Sequence, residues 1–279
     1  MRLLIFGLGY TGSAIAAALA PGGWRIAAVT RDGRDDSIAF DDRDRVAFEI
    51  AHASHIVSTV APDDADLILT AYGAELADAR GWLGYLSSTG VYGNTGGAWV
   101  DETAPIGTGR RTARAEADAA WRALGARVFR LPGIYGPGRS PLDRVARGEA
   151  RRIHVPGQVF SRIHRDDIVS GVIAGFDAPR GAYNLADDLP APQSEVIGYA
   201  CALLGIAAPP LVPLEQADLS PQARAFYSEN RRVANGKARR VLRWRPRFAD
   251  YRLGLRALSA STSPISTSTA PAAASSDQR

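Results

Sequence analysis

Apolar residues fall along this chain in two kinds of run. Leu3–Phe6 is short, unbroken and ended by glycine. It predicts a strand buried on both faces, as in a parallel sheet. Residues 11–19 are alanine-rich and predict a helix, closed by Pro21, Gly22 and Gly23. Further strands are predicted at 24–30, 55–60, 82–87 and 127–130, and further helices at 66–79 and 112–124. Strand and helix alternate, so the pattern predicts an α/β chain with a doubly wound parallel sheet. After Leu131 the texture changes: proline and glycine become frequent and the runs shorten. Helices are predicted there at 168–176 and 193–204, and a strand at 181–185. This half predicts a smaller C-terminal lobe over the carboxyl edge of the sheet, built mainly from 132–258. Residues 259–279 are Ser, Thr, Ala and Pro of low complexity and are expected to be disordered.

Length and composition narrow the picture. The chain has 279 residues, of which 46% are apolar, enough for one large domain of residues 1–258. No apolar run approaches the length of about 18 residues needed to cross a bilayer, so no membrane partner is expected. The opening MRLLIFGLGYTG is too short and glycine-broken for a signal-peptide core, which points to a cytoplasmic protein. The single cysteine, Cys201, agrees with a reducing compartment and reads as a buried thiol within EVIGYACALLG. Four histidines and that cysteine show no metal-ligand spacing, so no metal is expected. The net charge of +4 comes from scattered arginine, and only RRVANGKARRVLRWRPR (231–247) resembles a basic stripe. A solvated helix face explains it without nucleic acid.

Gly7-Leu8-Gly9-Tyr10-Thr11-Gly12 matches G-x-G-x-x-G between a predicted strand and a predicted helix. Gly7 serves the tight turn, Gly9 the approach of a pyrophosphate, and Gly12 the packing of helix on strand. The helix N-terminus then offers N–H groups and a positive dipole end to phosphates. The sheet is therefore expected to be of the Rossmann type. The second strand ends Val29-Thr30-Arg31, where NAD-binding chains place a carboxylate. Arg31 suits a 2′-phosphate, so NADP is preferred over NAD, with Asp32 keeping NAD open. Ser58, Thr59, Val60 and Ala61 end a later strand where it would pass the cofactor.

LSSTGVYG (86–93), together with the N-terminal glycines, resembles the extended short-chain dehydrogenase/reductase superfamily, of the NAD-dependent epimerase/dehydratase type. Later segments follow in family order. FRLPGIYGPGR (129–139) is similar to the family's R-x-x-x-x-Y-G-P, and SRIHRDDIV (161–169) to its H-v-D-D segment. Tyr183-Asn184-Leu185 and NRRVANGKARRVLRWRPRF (230–248) resemble its last two hallmarks. The resemblance runs over about residues 1–258. It implies a catalytic Ser/Thr, which falls on Ser88, and a Tyr-x-x-x-Lys pair. Ser87, Leu131 and Gly133 are taken as further cofactor contacts.

Here the chain departs from the family. In GRRTARAEAD (109–118), Arg110 takes the tyrosine position and Arg114 the lysine position. Guanidinium stays protonated and cannot serve as the acid. Arg114 retains a role in holding the cofactor and a positive charge near it. Tyr92, Tyr135 and His164 are the groups that could stand in as donor, each with a packing or capping role as the alternative. On the substrate side, Arg139 and Arg232 are favoured among the lobe arginines, with Tyr135 and His164 beside them. Trp99, Phe160, Phe226 and Tyr227 line a pocket or fill the lobe. The resemblance implies an NADP-dependent oxidoreductase or epimerase/dehydratase-like enzyme, monomeric or homodimeric, on a small, nucleotide-sugar-like substrate. A non-catalytic cofactor sensor is the alternative.

Overall fold

The computed structural model describes residues 1–109 and 112–262. The first half runs β1 (Arg2–Phe6), α1 (Tyr10–Leu19), β2 (Arg25–Thr30), β3 (Ile38–Ala39), α2 (Arg43–His52), β4 (His55–Ser58), α3 (Leu67–Asp78) and β5 (Trp82–Ser88). It continues with β6 (Trp99–Val100), α4 (Thr112–Ala123) and β7 (Arg127–Leu131). The second half holds β8 (Gly133–Tyr135), α5 (Pro141–Ala146), β9 (Arg152–His154), β10 (Arg162–His164), α6 (Arg165–Ala174) and β11 (Gly181–Asn184). It ends with α7 (Gln193–Leu204), β12 (Leu211–Pro213), α8 (Pro221–Phe226), β13 (Arg232–Val233), α9 (Gly236–Val241) and α10 (Tyr251–Thr262).

Seven strands form one sheet in the order β11-β7-β5-β4-β1-β2-β3, parallel throughout. The strand order reverses at β1, and the glycine loop leaves the sheet there. β1 shows why its sequence is unbroken apolar. Leu3 and Ile5 enter one core layer, under α1 and α6, while Leu4 and Phe6 enter the other, under α2, α3 and α4. Successive side chains of a strand point to opposite faces, so a strand covered on both sides has no polar position.

α2 was not predicted, because only Val46 and Ile50 face inward among its charged residues. One further turn-spaced contact secures it: Glu49 pairs with Arg2 of β1. α6 starts at Arg165, three residues before the expected 168, because His164 caps it and Asp166 and Asp167 occupy its first turn. Residues past Leu131 are shared between two bodies: β11, α6 and α9 complete the sheet layer, whereas α5, α7 and α10 build a separate core around Leu142, Ile197, Cys201 and Leu255. The predicted disordered tail starts too early: 259–262 are the last turn of α10, whose apolar stripe of Tyr251, Leu255 and Leu258 packs on that core. Residues 263–279 of that tail lie outside the described residues, as does Arg110.

Candidate functional site

The glycine loop follows β1. Gly7 adopts φ +93°, a conformation that favours glycine, and donates its N–H to Val29 O at 2.9 Å. Thr59 Oγ1 donates to Gly7 O at 2.9 Å and holds the loop against β4. Gly12 faces the same carbonyl: a Cβ there would stand 2.1 Å from Gly7 O. Gly9 is different. A Cβ on it would meet nothing within 4 Å, and no side chain caps α1, for which Gly9 is the N-cap. The first-turn N–H groups therefore point, unshielded, into a cavity lined by Gly9, Tyr10 and Thr11.

That cavity encloses about 890 Å³ along the carboxyl edge of the sheet. Its sheet wall includes Thr59, Ala61, Ser87, Ser88, Leu131 and Gly133, with Arg114 from α4. Its lobe wall includes Tyr135, Arg139, Arg144, Phe160, Arg162 and Arg231. Six arginines line it against two acids, Asp143 and Glu229, so its field favours an anion.

Nine of the fifteen expected cofactor residues meet at this cavity and six do not, Gly7 and Gly12 shaping the loop behind it. The Ser58 hydroxyl is fully buried with no hydrogen-bond partner among the described residues, and Ser58 does not line the cavity. Val60 packs against the core and Gly7 instead of lining the cavity. Thr30 is buried at the end of β2, its Oγ1 2.6 Å from Ser37 Oγ and accepting from Gly33 N–H at 3.1 Å. It holds the 30–37 turn. Arg31 is exposed at the tip of that turn, outside the cavity lining.

The residues expected to do chemistry separate more sharply. Ser88 lines the cavity. Its Oγ accepts from Gly90 N–H at 3.0 Å and leaves its own proton to donate. Tyr92 does not line it. Its hydroxyl is buried, donates to Asn184 Oδ1 at 2.8 Å and accepts from Arg130 Nη1 at 2.9 Å. Burial raises its pKa against the pull of Arg130, so Tyr92 is a structural tyrosine. Asp118 receives Arg130 Nε at 2.9 Å, Arg130 Nη2 at 2.7 Å and Ser87 Oγ at 2.7 Å. This buried pair organises the floor behind Ser87. Arg130 is legible in the sequence only as the arginine of the R-x-x-x-x-Y-G-P segment; its pairing with Asp118 went unread, although an arginine between Phe129 and Leu131 in an apolar strand was a signal.

His164 is also structural. Its Nδ1 accepts from Asp166 N–H at 3.2 Å, and its ring lies 4.2 Å from that of Phe248. Burial lowers its pKa to about 4, outweighing Asp166, and its Nε2 has no partner among the described residues. Tyr135 lines the cavity with its ring. Its hydroxyl is buried without a partner among the described residues and lies over Gly254, and burial pushes its pKa up. Arg139 stays at the cavity, its guanidinium 5.7 Å over the Tyr10 ring. Arg232 does not reach it: its Nη1 holds Gly97 O, and it lines a second pocket of about 370 Å³. Among the described residues no cluster of three His, Cys, Asp or Glu could hold a metal ion, and no helix is long and apolar enough to cross a membrane.

A parallel sheet of this order, with a glycine loop opening on a cleft at its switch point, defines the dinucleotide-binding class of α/β protein. No protein-family model matches the chain. Among solved structures, a functionally unknown conserved protein from Silicibacter pomeroyi is 42% identical over 93% of this chain and 98% of its own, with TM-score 0.87. The chain belongs to that protein's family. The same fold recurs in the human epimerase family protein SDR39U1, solved with NADPH, at 19% identity over 93% of this chain and 99% of that one (TM-score 0.74). It recurs in a dTDP-glucose 4,6-dehydratase from Bacillus anthracis, solved with NAD, at 17% identity over 93% and 96% (TM-score 0.70). A curated relative, the 3-diazoavenalumate denitrifying reductase of a Streptomyces species, is 28% identical over 178 residues, 56% of this chain and 58% of that protein's length.

Proposed function

We propose that the protein is an NADP-dependent reductase that works without the family's tyrosine–lysine pair. One observation carries this reading: a single cavity runs from the uncapped N-terminus of α1, past Ser88, to an arginine-rich lobe wall. The residues fit a dinucleotide, because Gly9 leaves open the space a pyrophosphate needs and Thr59 locks the loop that presents it. Gly9, Tyr10, Thr11, Thr59 and Ala61 would hold the cofactor's phosphates and adjoining ribose, and Leu131, Gly133 and Arg114 its nicotinamide half. A nicotinamide held there would supply hydride to the substrate. Arg31, exposed and at the end of β2, supports a 2′-phosphate and hence NADP. The relative named as a reductase supports reduction over epimerisation.

The chain's own chemistry is then limited. Ser88 donates a hydrogen bond to the substrate oxygen or nitrogen that gains charge. Arg114 keeps positive charge beside the site and cannot pass on a proton. Tyr10 spends its hydroxyl on Pro137 O at 3.1 Å, and Tyr135 has its own buried. The proton that completes reduction therefore comes from water in the cleft, at a cost of the order of 10²–10⁴-fold in rate relative to a positioned acid. That same lack of a free phenol or imidazole donor among the described cavity residues supports a second reading, a cofactor-binding sensor.

Calorimetric titration with NADPH, NADP⁺, NADH and NAD⁺ tests both. Tight binding of the phosphorylated pair, weakened when Arg31 becomes Asp, is the expected result. Absence of binding by all four would end the cofactor reading. Binding that discriminates strongly between NADPH and NADP⁺, with no turnover on carbonyl and alkene substrates, would favour the sensor.

A further inference from the structure

We propose that the lobe end of this cavity is built for an apolar carboxylic acid, with Arg162 as the cation that docks the carboxylate. The inference rests on the cofactor reading only in leaving this end of the cavity to the substrate.

Arg162 opens β10 and is 9% exposed, yet it lines the cavity. Its Nη1 donates to Phe160 O at 2.8 Å and to Ala191 O at 2.9 Å. Two backbone carbonyls thus fix the plane of the guanidinium. Nε and Nη2, the edge that meets a carboxylate side-on, have no partner among the described residues, and Arg162 forms no ion pair there. The nearest acid in charge terms is Asp187, which is buried with both carboxyl oxygens lacking hydrogen-bond partners among the described residues. Burial pushes the Asp187 carboxyl up and Arg162 pulls it down, but no hydrogen bond or ion pair joins the two side chains among the described residues. A buried cation without an anion is costly, and a ligand carboxylate relieves that cost.

The surroundings choose between acids. Arg231, the other inner arginine, is already satisfied by Glu229 at 2.9 Å and Gly93 O at 2.7 Å. The neutral polar side chains are largely engaged, with the Ser161 hydroxyl proton left to donate. Ser161 Oγ accepts from Val233 N–H at 3.0 Å, Gln193 Nε2 donates to Arg151 O at 2.9 Å, and Ser140 Oγ donates to Asp143 at 2.8 Å. Besides Arg139, Arg144 and Arg147, the lining is apolar: Val159, Val196, Ile197 and the Phe160 ring, stacked on half-exposed Phe226 at 4.6 Å and 9°. A sugar would bring several hydroxyls to a wall whose only spare neutral donor is the Ser161 hydroxyl, and most would lose their water uncompensated. A flat apolar acid needs one charged contact, which Arg162 supplies, and a ring surface, which Phe160 and Phe226 supply.

The test is calorimetry on the full chain, with and without saturating NADP⁺, using trans-cinnamate, its methyl ester and UDP-glucose as probes. Cinnamate is expected to bind, the ester about tenfold or more weaker, and UDP-glucose no tighter than cinnamate. Arg162→Gln should erase the preference for acid over ester and leave NADP⁺ affinity unchanged, which also shows that the variant is folded. An ester that binds as well as the acid, UDP-glucose that binds tighter than either, cinnamate that fails to bind, or a preference that survives Arg162→Gln would each overturn the proposal. Should Arg162→Gln not fold, the acid-to-ester ratio of the unaltered protein decides, with Phe226→Ser expected to weaken both probes equally. NADP⁺ that fails to bind while the acid preference persists would sink the cofactor reading and leave the carboxylate site standing.

Discussion

Gly9 and Gly12 stand three positions apart in one loop and do opposite jobs. A methyl group on Gly12 collides with the Gly7 carbonyl, which is backbone and cannot turn away. Gly12→Ala should therefore cost about 1–3 kcal/mol of stability as well as cofactor affinity. A methyl group on Gly9 meets open space, and Gly9 has an ordinary φ of −76°. Gly9→Ala should fold within about 0.5 kcal/mol of the parent yet lose affinity for NADPH, because the methyl fills the approach to α1. Urea denaturation and NADPH titration of both variants separate these outcomes, and unchanged binding by Gly9→Ala would end the loop assignment. His164 makes a prediction in pH. Its folded pKa is lowered from 6.5 to about 4, mainly by burial. The stability that comes with keeping it neutral is complete above pH 6.5 and is lost as pH falls from there towards 4, a loss of roughly 3 kcal/mol. His164→Asn keeps an acceptor for Asp166 N–H and removes the titration. The difference between the two stability–pH curves should therefore grow through that window, and parallel curves would contradict the assignment.

Elements are tied to one another by a few polar residues that act at more than one place. Asp66 caps α3 through Ile68 and Leu69 N–H, each at 3.0 Å, and receives Trp121 Nε1 of α4 at 2.9 Å. Asp66→Ala removes a cap and leaves a buried indole N–H without an acceptor, an expected cost of about 2–3 kcal/mol. Asp66→Asn offers an oxygen to the cap and should cost roughly half of that or less. Equal losses in thermal denaturation would mean that the cap and the indole bond contribute little. Asp167 works in the same way at the other end of the molecule: it caps nothing, but its carboxylate takes Arg247 N–H at 2.6 Å and Phe248 N–H at 3.1 Å, which fixes the chain entering α10 to α6.

At the scale of the whole molecule, the sheet depends on residues on both sides of Leu131. β11 is its edge strand, and Ile168, Val172, Leu185 and Trp244 share a core layer with Leu3 and Ile5. β6, from the first half, pairs in turn with β13 of the second. We expect the chain to unfold in a single cooperative transition, with fluorescence and far-ultraviolet dichroism coinciding, and a fragment of residues 1–131 to show neither native dichroism nor NADPH binding. A folded, cofactor-binding fragment would show that the sheet stands without its later strands and helices.

What the sequence determined by itself was local. Unbroken apolar runs marked the buried strands, alanine-rich stretches the helices, and G-x-G-x-x-G between Phe6 and Ser13 the loop, because period, turn and helix start are properties of neighbours in the chain. Motif order added a resemblance to the superfamily and pointed to Ser88, which lines the cavity. α2 was illegible because its inner stripe is only Val46 and Ile50. The tertiary structure decided which polar groups are free to act. Tyr92 and Ser88 sit in one motif, but the partner that consumes the Tyr92 hydroxyl is Asn184, 92 residues away. His164 and Arg162 sit in one strand, and only folding buries the first as a cap and turns the second, its Nη1 anchored by Ala191 O from 29 residues on, toward the cavity. A side chain's availability depends on burial and on which acceptors the fold brings to it, and those partners are distant in sequence.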